Sequence, residues 1–181
     1  MKGARLLILI LNDIALGIAV IMVILNLYPS WSQYAMTLEA PLLLATLSCI
    51  STSLIIRGFT FYDRRQNLFF FPFTKMEVRV GQLNIISGFL FIGVLCTPVT
   101  HPFWLIPILH LIFTPAAIIT ALLDVVFYNK TKLAYLGAGV AVVGFLLAYV
   151  HEVYSIGLGE LIVAFIIAFN IWWHRNKIKQ N

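Results

Sequence analysis

Residues 103–128 read FWLIPILHLIFTPAAIITALLDVVFY, a long apolar run with one acid, Asp124, and no lysine or arginine. As a helix it would rise about 1.5 Å per residue, which is enough to cross the ~30 Å hydrocarbon core of a bilayer. Lys130 and Lys132 follow directly after the run. The stretch therefore predicts a transmembrane helix with a basic end.

Five further apolar runs of similar length predict five more spans. With the first, they cover residues 4–28, 36–56, 83–99, 103–128, 133–150 and 154–173. The chain is 61% hydrophobic and 10% charged, with a mean hydropathy of +0.98, which leaves far too little polar surface for a water-soluble globule. We therefore predict an all-α polytopic membrane protein, a single domain built as a bundle of six transmembrane helices.

The basic residues all lie on one side of these spans. The twelve lysines and arginines fall before or at the very start of span one, within residues 57–82, between spans four and five, or after span six. The positive-inside rule then places both termini in the cytoplasm and makes residues 57–82 a cytoplasmic loop of aromatic and basic residues. Anionic headgroups are the expected partners of these bases, in a prokaryotic plasma membrane. Nucleic acid is excluded, because the bases are scattered and no soluble domain accompanies them.

Ionisable side chains within the spans are candidates for function, because they are costly in hydrocarbon unless paired, hydrated or neutralised. Glu39, His110 and Glu160 lie about one or two turns below the outer starts of their spans. Asp13, near the middle of span one, is either protonated and hydrogen-bonded or the inner step of a proton or cation path. Together the four residues predict a ligand site or a proton or cation path.

Histidines and glutamates also gather on the outer side, where no basic residue lies. His110, His151, Glu152 and Glu160 offer imidazole and carboxylate groups, which are ligands for a divalent or copper ion. The same groups can pass protons or pair with an organic amine. No His-x-x-x-His spacing selects a metal, so the occupant stays open, and His151 and Glu152 also fit ordinary rim residues.

Other polar residues have a structural interpretation. Asp124 lies near the cytoplasmic end of span four, where Arg57 or Lys130 can pair with it, and we expect a structural ion pair of Asp124 with Arg57. The serines around Ser51 in span two are typical of hydrogen bonds between helices. Neither feature requires a ligand.

Four short motifs in the second half of the chain carry a family resemblance. They are Pro115-Ala-Ala, Leu122-Leu-Asp124 with an aromatic end, Gly137-Ala-Gly139 after a short lysine loop, and the Trp172-Trp173 end of the last span. In this order they resemble the A subunit of copper-dependent ammonia and methane monooxygenases, over about a third of the chain. The resemblance implies a membrane scaffold subunit of a multi-subunit oxidase.

The start of the chain carries a second resemblance. Lys2-Gly-Ala-Arg5-Leu-Leu with Ala15-Leu-Gly-Ile-Ala19 is similar to substrate-binding components of energy-coupling-factor vitamin importers. This resemblance implies six spans, cytoplasmic termini and an outward-facing ligand pocket. Aromatic residues on the outer side would suit such a pocket, namely Trp31, Tyr34, Trp104 and Tyr154.

Two functional classes therefore stay open. In the first, the protein binds or transports a cation or small polar ligand, with Glu160 and His110 as binding residues, Glu39 assisting and Asp13 as the inner relay. In the second, it is a non-catalytic membrane subunit of a redox or monooxygenase complex, with partner subunits or further copies of itself. A self-contained enzyme is not expected, because Gly-x-Ser-x-Gly and His-Glu-x-x-His are both missing from the sequence.

Overall fold

The computed structural model describes residues 2–25, 27, 30–63, 76–129, 132–151 and 156–173. Within these ranges the chain forms six α-helices and one 3₁₀ helix. In chain order they are α1 (Lys2–Leu25), the 3₁₀ helix (Trp31–Met36), α2 (Ala40–Asp63), α3 (Met76–Cys96), α4 (Leu105–Asn129), α5 (Lys132–His151) and α6 (Ile156–Trp173). The described residues contain no strand, and the predicted all-α class is confirmed.

Three helices contain stretches long and apolar enough to cross a membrane. These stretches are Gly3–Leu25 in α1, Ala40–Thr60 in α2 and Leu105–Val126 in α4. The described parts of the other helices contain shorter apolar stretches, Gly81–Cys96, Tyr135–Gly144 and Leu158–Trp172. The chain thus has the composition and helix lengths of a membrane-embedded protein.

The helix boundaries differ most from the sequence expectation around residues 57–82. Helix α2 continues to Asp63 and α3 already begins at Met76, so both ends of the expected loop are helical. The reason lies partly in Arg57, whose side chain is 2% exposed and turns into the bundle instead of ending a span. Residues 64–75, the middle of that loop, lie outside the described part of the chain.

Proline positions explain the connection between α3 and α4. Thr97 precedes Pro98, and a residue before proline is disfavoured in the helical region, so α3 ends at Cys96. The Thr97 hydroxyl donates to the Gly93 carbonyl at 2.7 Å and closes this end. Pro107 falls in the first turn of α4, where its missing N–H has no intrahelical partner to lose.

The helices pack largely in chain order. Each of α1, α2 and α3 packs against the next helix, and α6 returns to contact α1 and, more lightly, α4. Helix α5 packs mainly against α6 and leaves much of its surface exposed. Helices α1, α2, α3, α4 and α6 therefore surround a common interior.

Two glycines allow α2 and α3 to approach closely. A Cβ atom on Gly88 would lie 2.9 Å from the Ser51 carbonyl oxygen and 2.5 Å from Cγ1 of Ile55. At the same level the Ser51 hydroxyl donates to the Gly88 carbonyl at 2.8 Å. Gly58 makes a similar approach to the backbone of α3. Small residues and a serine hydrogen bond thus join the two helices, as is usual in membranes.

The 3₁₀ helix folds back onto the end of the bundle. Its Tyr34 is 1% exposed, and the Tyr34 hydroxyl donates to the Met22 carbonyl of α1 at 3.1 Å. Trp31 at its start is 6% exposed. The 3₁₀ helix therefore covers one end of the interior, beside the C-terminal end of α3 and the N-terminal ends of α4 and α6.

Candidate functional site

A cavity lies beneath the 3₁₀ helix. Its walls come from the 3₁₀ helix and from α2, α3, α4 and α6, and the centre of a water-sized sphere can occupy about 50 Å³ of it. Most of the lining is apolar, including Leu43, Leu47, Ile50, Phe91, Ile118 and Val163. The polar residues of the lining are Trp31, Ser32, His110, Thr114 and Glu160. We call this space the outer cavity.

Glu160 connects α6 to the 3₁₀ helix. Its Oε2 atom accepts a hydrogen bond from the Trp31 backbone N–H at 2.8 Å, across 129 residues of sequence. The first N–H groups of a helix have no partner within it, so the Glu160 carboxylate caps the 3₁₀ helix from outside. Glu160 is only half-buried, which leaves part of the carboxylate open to the outer cavity. One oxygen thus has a structural role while the carboxylate as a whole remains accessible.

His110 is fixed by the end of α3. The His110 ring is 6% exposed, and its Nδ1 lies 2.6 Å from the Thr97 carbonyl oxygen. A carbonyl oxygen only accepts, so Nδ1 carries the proton, and in the neutral ring Nε2 is left as an acceptor. The ring is therefore anchored to the end of α3 through Nδ1, and in the neutral form Nε2 is its acceptor nitrogen.

Two further polar atoms of the lining have no hydrogen-bond partner among the described residues. They are Nε1 of Trp31, a donor, and Oγ1 of Thr114, a donor and acceptor. A buried polar group without a partner costs about 1–3 kcal/mol. Thr114 lies one turn after His110 on α4, so both side chains share a face. The outer cavity therefore combines apolar walls with unused hydrogen-bonding capacity.

Among the described residues, the lining of the outer cavity has one carboxylate and neither lysine nor arginine. A carboxylate surrounded by hydrocarbon is strongly disfavoured unless it is protonated or meets a cation. The electrostatics of the described lining therefore suit a positively charged ligand.

The structure brings only part of the predicted metal set together. His110 and Glu160 line the same cavity, but nowhere among the described residues do three or more His, Cys, Asp or Glu side chains gather. The His151 side chain and Glu152 lie outside the described residues. Two protein ligands are fewer than the three or four of well-formed zinc sites.

Asp13 and Glu39 lie away from the outer cavity. Asp13 is on the exposed face of α1, and its neighbour Asn12 points inward instead, where its Nδ2 donates to the Ala168 carbonyl at 3.4 Å. Successive residues of a helix are about 100° apart, so only one of the two can face the interior. Glu39 is half-buried in the turn before α2, where its carbonyl accepts from the Leu42 N–H at 2.9 Å. The structure therefore does not bring either carboxylate to His110 and Glu160.

A smaller space adjoins the outer cavity. The centre of a water-sized sphere can occupy about 10 Å³ of it, and Asn12 is the polar residue of its lining. Ile50, Ala164 and Ile167 line both spaces and separate them. The apolar interior thus leads from the outer cavity toward α1, past residues that carry no charge.

Hydrogen bonds and an ion pair join α2, α3, α4 and α6 at the end of the bundle opposite the outer cavity. Arg57 of α2 donates from Nη1 to Oδ1 of Asn84 on α3 at 2.9 Å, and also forms an ion pair with Oδ2 of Asp124 on α4. Asn170 of α6 donates to the same Asp124 oxygen at 3.4 Å. All four side chains are at most 3% exposed. We call this group the inner polar cluster, and it closes the bundle at the end opposite the outer cavity.

Sequence reasoning anticipated the Arg57 and Asp124 positions but missed both asparagines. Asn84 and Asn170 lie in apolar helices without any motif, and their depth in the spans was the available signal. Thr114 was also missed, although its spacing of four from His110 was visible. Trp31 was considered only through the importer resemblance, and its bond to Glu160 has no local signature in the sequence.

Among the residues that carry the first family resemblance, Asp124 and Gly137 contact other helices, whereas Gly139 and Trp172 are exposed. Asp124 belongs to the inner polar cluster, while Gly137 lies against Ile166 of α6 and Gly139 faces open space. Trp172 is 42% exposed. What the outer cavity binds has to be inferred from its own residues, because no family model, curated protein or solved structure matches the chain.

Proposed function

We propose that this protein is a six-span integral membrane protein with both termini in the cytoplasm, and that its outer cavity binds a cation or small polar ligand for uptake or transfer. Helices α3, α5 and α6 have 21, 20 and 18 residues, close to the ~20 needed for a span. Adding them to the three longer apolar helices gives six. The one-sided distribution of lysine and arginine supports the orientation.

The observation that carries the binding proposal is the meeting of His110 and Glu160 in one apolar cavity. Residues from span four and span six, 50 positions apart in sequence, line the same space together with unpartnered atoms of Trp31 and Thr114. Ligand sites are typically apolar clefts with a few convergent polar groups. A ligand that bonds to these atoms would recover the cost of leaving them without partners.

The inner polar cluster favours a carrier mechanism rather than an open channel. It joins α2, α3, α4 and α6 by side-chain bonds at the end opposite the outer cavity. A ligand entering from the outer side would therefore meet a closed bundle below its site. Transport would require these contacts to open, which makes binding and release separate steps.

Cysteine labelling tests the topology. Cys49 and Cys96 are first replaced by alanine, and single cysteines are then introduced at Thr100, which is exposed between α3 and α4, and at Lys130. In intact cells a membrane-impermeant maleimide should label the Thr100→Cys variant and should reach the Lys130→Cys variant only after permeabilisation. If only α1, α2 and α4 crossed the membrane, Thr100 would lie inside and remain unlabelled.

Binding to the outer cavity is tested with the purified full chain in lipid nanodiscs. A panel of small cations and polar solutes is titrated by calorimetry, with empty nanodiscs as the blank. Glu160→Gln should weaken the binding of whichever solute is accepted at least tenfold. Glu77→Gln is the matched control, since it changes the same group at the start of α3, about 20 Å along the helix from the cavity residue Phe91. Equal losses in both variants would refute the site.

A subunit of a membrane complex is the second candidate, and Asp13 favours it. The Asp13 side chain lies on the exposed face of α1, near the middle of a stretch long enough to span a membrane. Such a group is costly against lipid and would be stabilised by a neighbouring subunit. Native mass spectrometry of a gentle extract would show a stable assembly that Asp13→Leu disrupts, whereas a monomer unaffected by that change argues against this candidate.

A further inference from the structure

We infer that the ligand of the outer cavity is an organic amine with an apolar body, in which a protonated amino group is attached to a hydrocarbon chain or ring. This inference rests on the proposed binding function and names its ligand class. It follows from the number and type of polar groups in the outer cavity, from the character of its walls and from its charge.

The polar groups match an ammonium head. A protonated primary amine has three N–H donors and no acceptor. Three residues that line the outer cavity carry acceptor groups of different kinds: the Glu160 carboxylate, the Thr114 hydroxyl oxygen and the second ring nitrogen of neutral His110, whose Nδ1 is bonded to Thr97. The carboxylate also supplies the opposite charge, which makes its hydrogen bond the strongest of the three.

The same groups suit a bare metal ion poorly. Calcium takes six to eight oxygen ligands and zinc takes four, usually three or more of them from protein. His110 and Glu160 supply two of the usual ligand side chains, and one oxygen of Glu160 already accepts the Trp31 backbone N–H. The Trp31 indole nitrogen is a donor and cannot bind a cation through its N–H. An inorganic ion would therefore keep much of its hydration inside an apolar cavity.

The apolar walls of the outer cavity are the reason for assigning a hydrocarbon body to the ligand. Beyond the polar groups the lining consists of aliphatic and aromatic side chains from four helices, such as Leu47, Phe91, Ile118 and Val163. A small hydrated cation would leave this surface without contacts, whereas a hydrocarbon body would pack against it. The Trp31 Nε1–H remains for an acceptor atom on that body.

Matched solutes separate these ligand classes. The full chain in zwitterionic nanodiscs is titrated with hexylamine, with hexanol, which has the same body and a neutral head, and with methylamine, which has the same head and almost no body. Zinc and potassium chlorides are the inorganic probes. Hexylamine should bind at least tenfold more tightly than hexanol and at least tenfold more tightly than methylamine, with both inorganic ions weaker still.

Variants connect the preference to the cavity. Glu160→Gln should reduce the tenfold preference for hexylamine over hexanol to about onefold, while Glu77→Gln keeps it. Because Glu160 also caps the 3₁₀ helix, Thr114→Val is the second variant, and it should weaken hexylamine binding about three- to tenfold without disturbing that cap. A folded Thr114→Val protein that binds hexylamine as wild type does would remove the three-acceptor argument.

The outcomes distinguish the ligand class from the site. If hexanol binds as tightly as hexylamine, or if an inorganic ion binds best, and Glu160→Gln weakens that binding, the amine inference is wrong and the proposed binding function stands. If none of the five probes shows binding that depends on Glu160, both the inference and the proposed function are overturned.

Discussion

Replacing Asp124 by alanine is expected to destabilise the protein by about 3–5 kcal/mol, because it leaves a buried guanidinium without its anion. Arg57 is 2% exposed, and its Nη1 forms the ion pair with Asp124 and a 2.9 Å hydrogen bond to Asn84. The substitution removes the ion pair and also the acceptor of Asn170. A hydrogen bond within a membrane adds less than the lost charge pair, about 0.6 kcal/mol on average.

The loss can be measured in mixed micelles. Unfolding by increasing sodium dodecyl sulfate is followed through tryptophan fluorescence, and the midpoint and slope give the free energy of unfolding. A change of 4 kcal/mol shifts the equilibrium between folded and unfolded chains about a thousandfold, since each 1.4 kcal/mol is a factor of ten. The variant should therefore unfold at a clearly lower detergent fraction.

A double variant shows whether the cause is the unpaired charge. Arg57→Met combined with Asp124→Leu removes both charges and fills the space with apolar atoms, an exchange that is often neutral or stabilising. It should recover at least half of the loss seen with Asp124→Ala alone. The reasoning fails if Asp124→Ala unfolds within about 1 kcal/mol of wild type, or if the double variant is less stable than the single one.

Three smaller changes test packing and hydrogen bonds by the same unfolding assay. Gly88→Ala should lower the free energy of unfolding by about 1–3 kcal/mol, because the new methyl group would overlap a backbone carbonyl and an isoleucine of α2. Gly139→Ala is the control, since a Cβ atom there meets nothing within 4 Å. Equal losses in the two variants would contradict the close approach of α2 and α3. Tyr34→Phe removes a buried bond to a carbonyl of α1 and should cost about 1 kcal/mol; an unchanged midpoint would mean that the 3₁₀ helix is held by other contacts. Thr114→Val should leave the midpoint unchanged or raise it, since the hydroxyl has no described partner, and a loss as large as that of Tyr34→Phe would reveal one.

The helices and the Arg57–Asp124 proximity were accessible from the sequence. Runs of apolar residues near 20 in length predict helices, because backbone polar groups need internal partners in hydrocarbon. An acid near the end of a long apolar helix needs a base at a similar depth, and Arg57 and Lys130 were the two candidates for Asp124. Depth, read from the sequence, was thus enough to propose a pair that the structure shows as an ion pair.

The sequence did not show which side of each helix is turned toward the interior of the bundle. The sequence placed Asp13 near the middle of span one, either as a protonated, hydrogen-bonded group or as the inner step of a path, but it did not show that Asp13 lies on the exposed face of α1 while Asn12 is buried. In a soluble protein the apolar stripe identifies the core side of a helix. Lipid is as apolar as the core, so an apolar face does not show which side of a membrane helix is turned toward the interior.

The Glu160–Trp31 contact was inaccessible for another reason. It joins residues 129 positions apart. Nothing near Trp31 in the sequence indicates that residues 31–36 form a 3₁₀ helix that covers the end of the bundle. Thr114 was missed for the same reason. It lines a cavity that forms only when α6 and the 3₁₀ helix come together, and the sequence does not show that contact.

The inner polar cluster also has a consequence for biosynthesis. Arg57 is made 67 residues before Asp124, and Asp124 is made a further 46 residues before Asn170. The chain must therefore hold a cationic group in α2 without Asp124 until α3 and α4 have been made. Arginine near the end of a span can reach the headgroups in the meantime. Helix α6 is made after α2, α3 and α4 and completes the cluster, and a chain that stops before α6 would lack both Asn170 and the wall that carries Glu160.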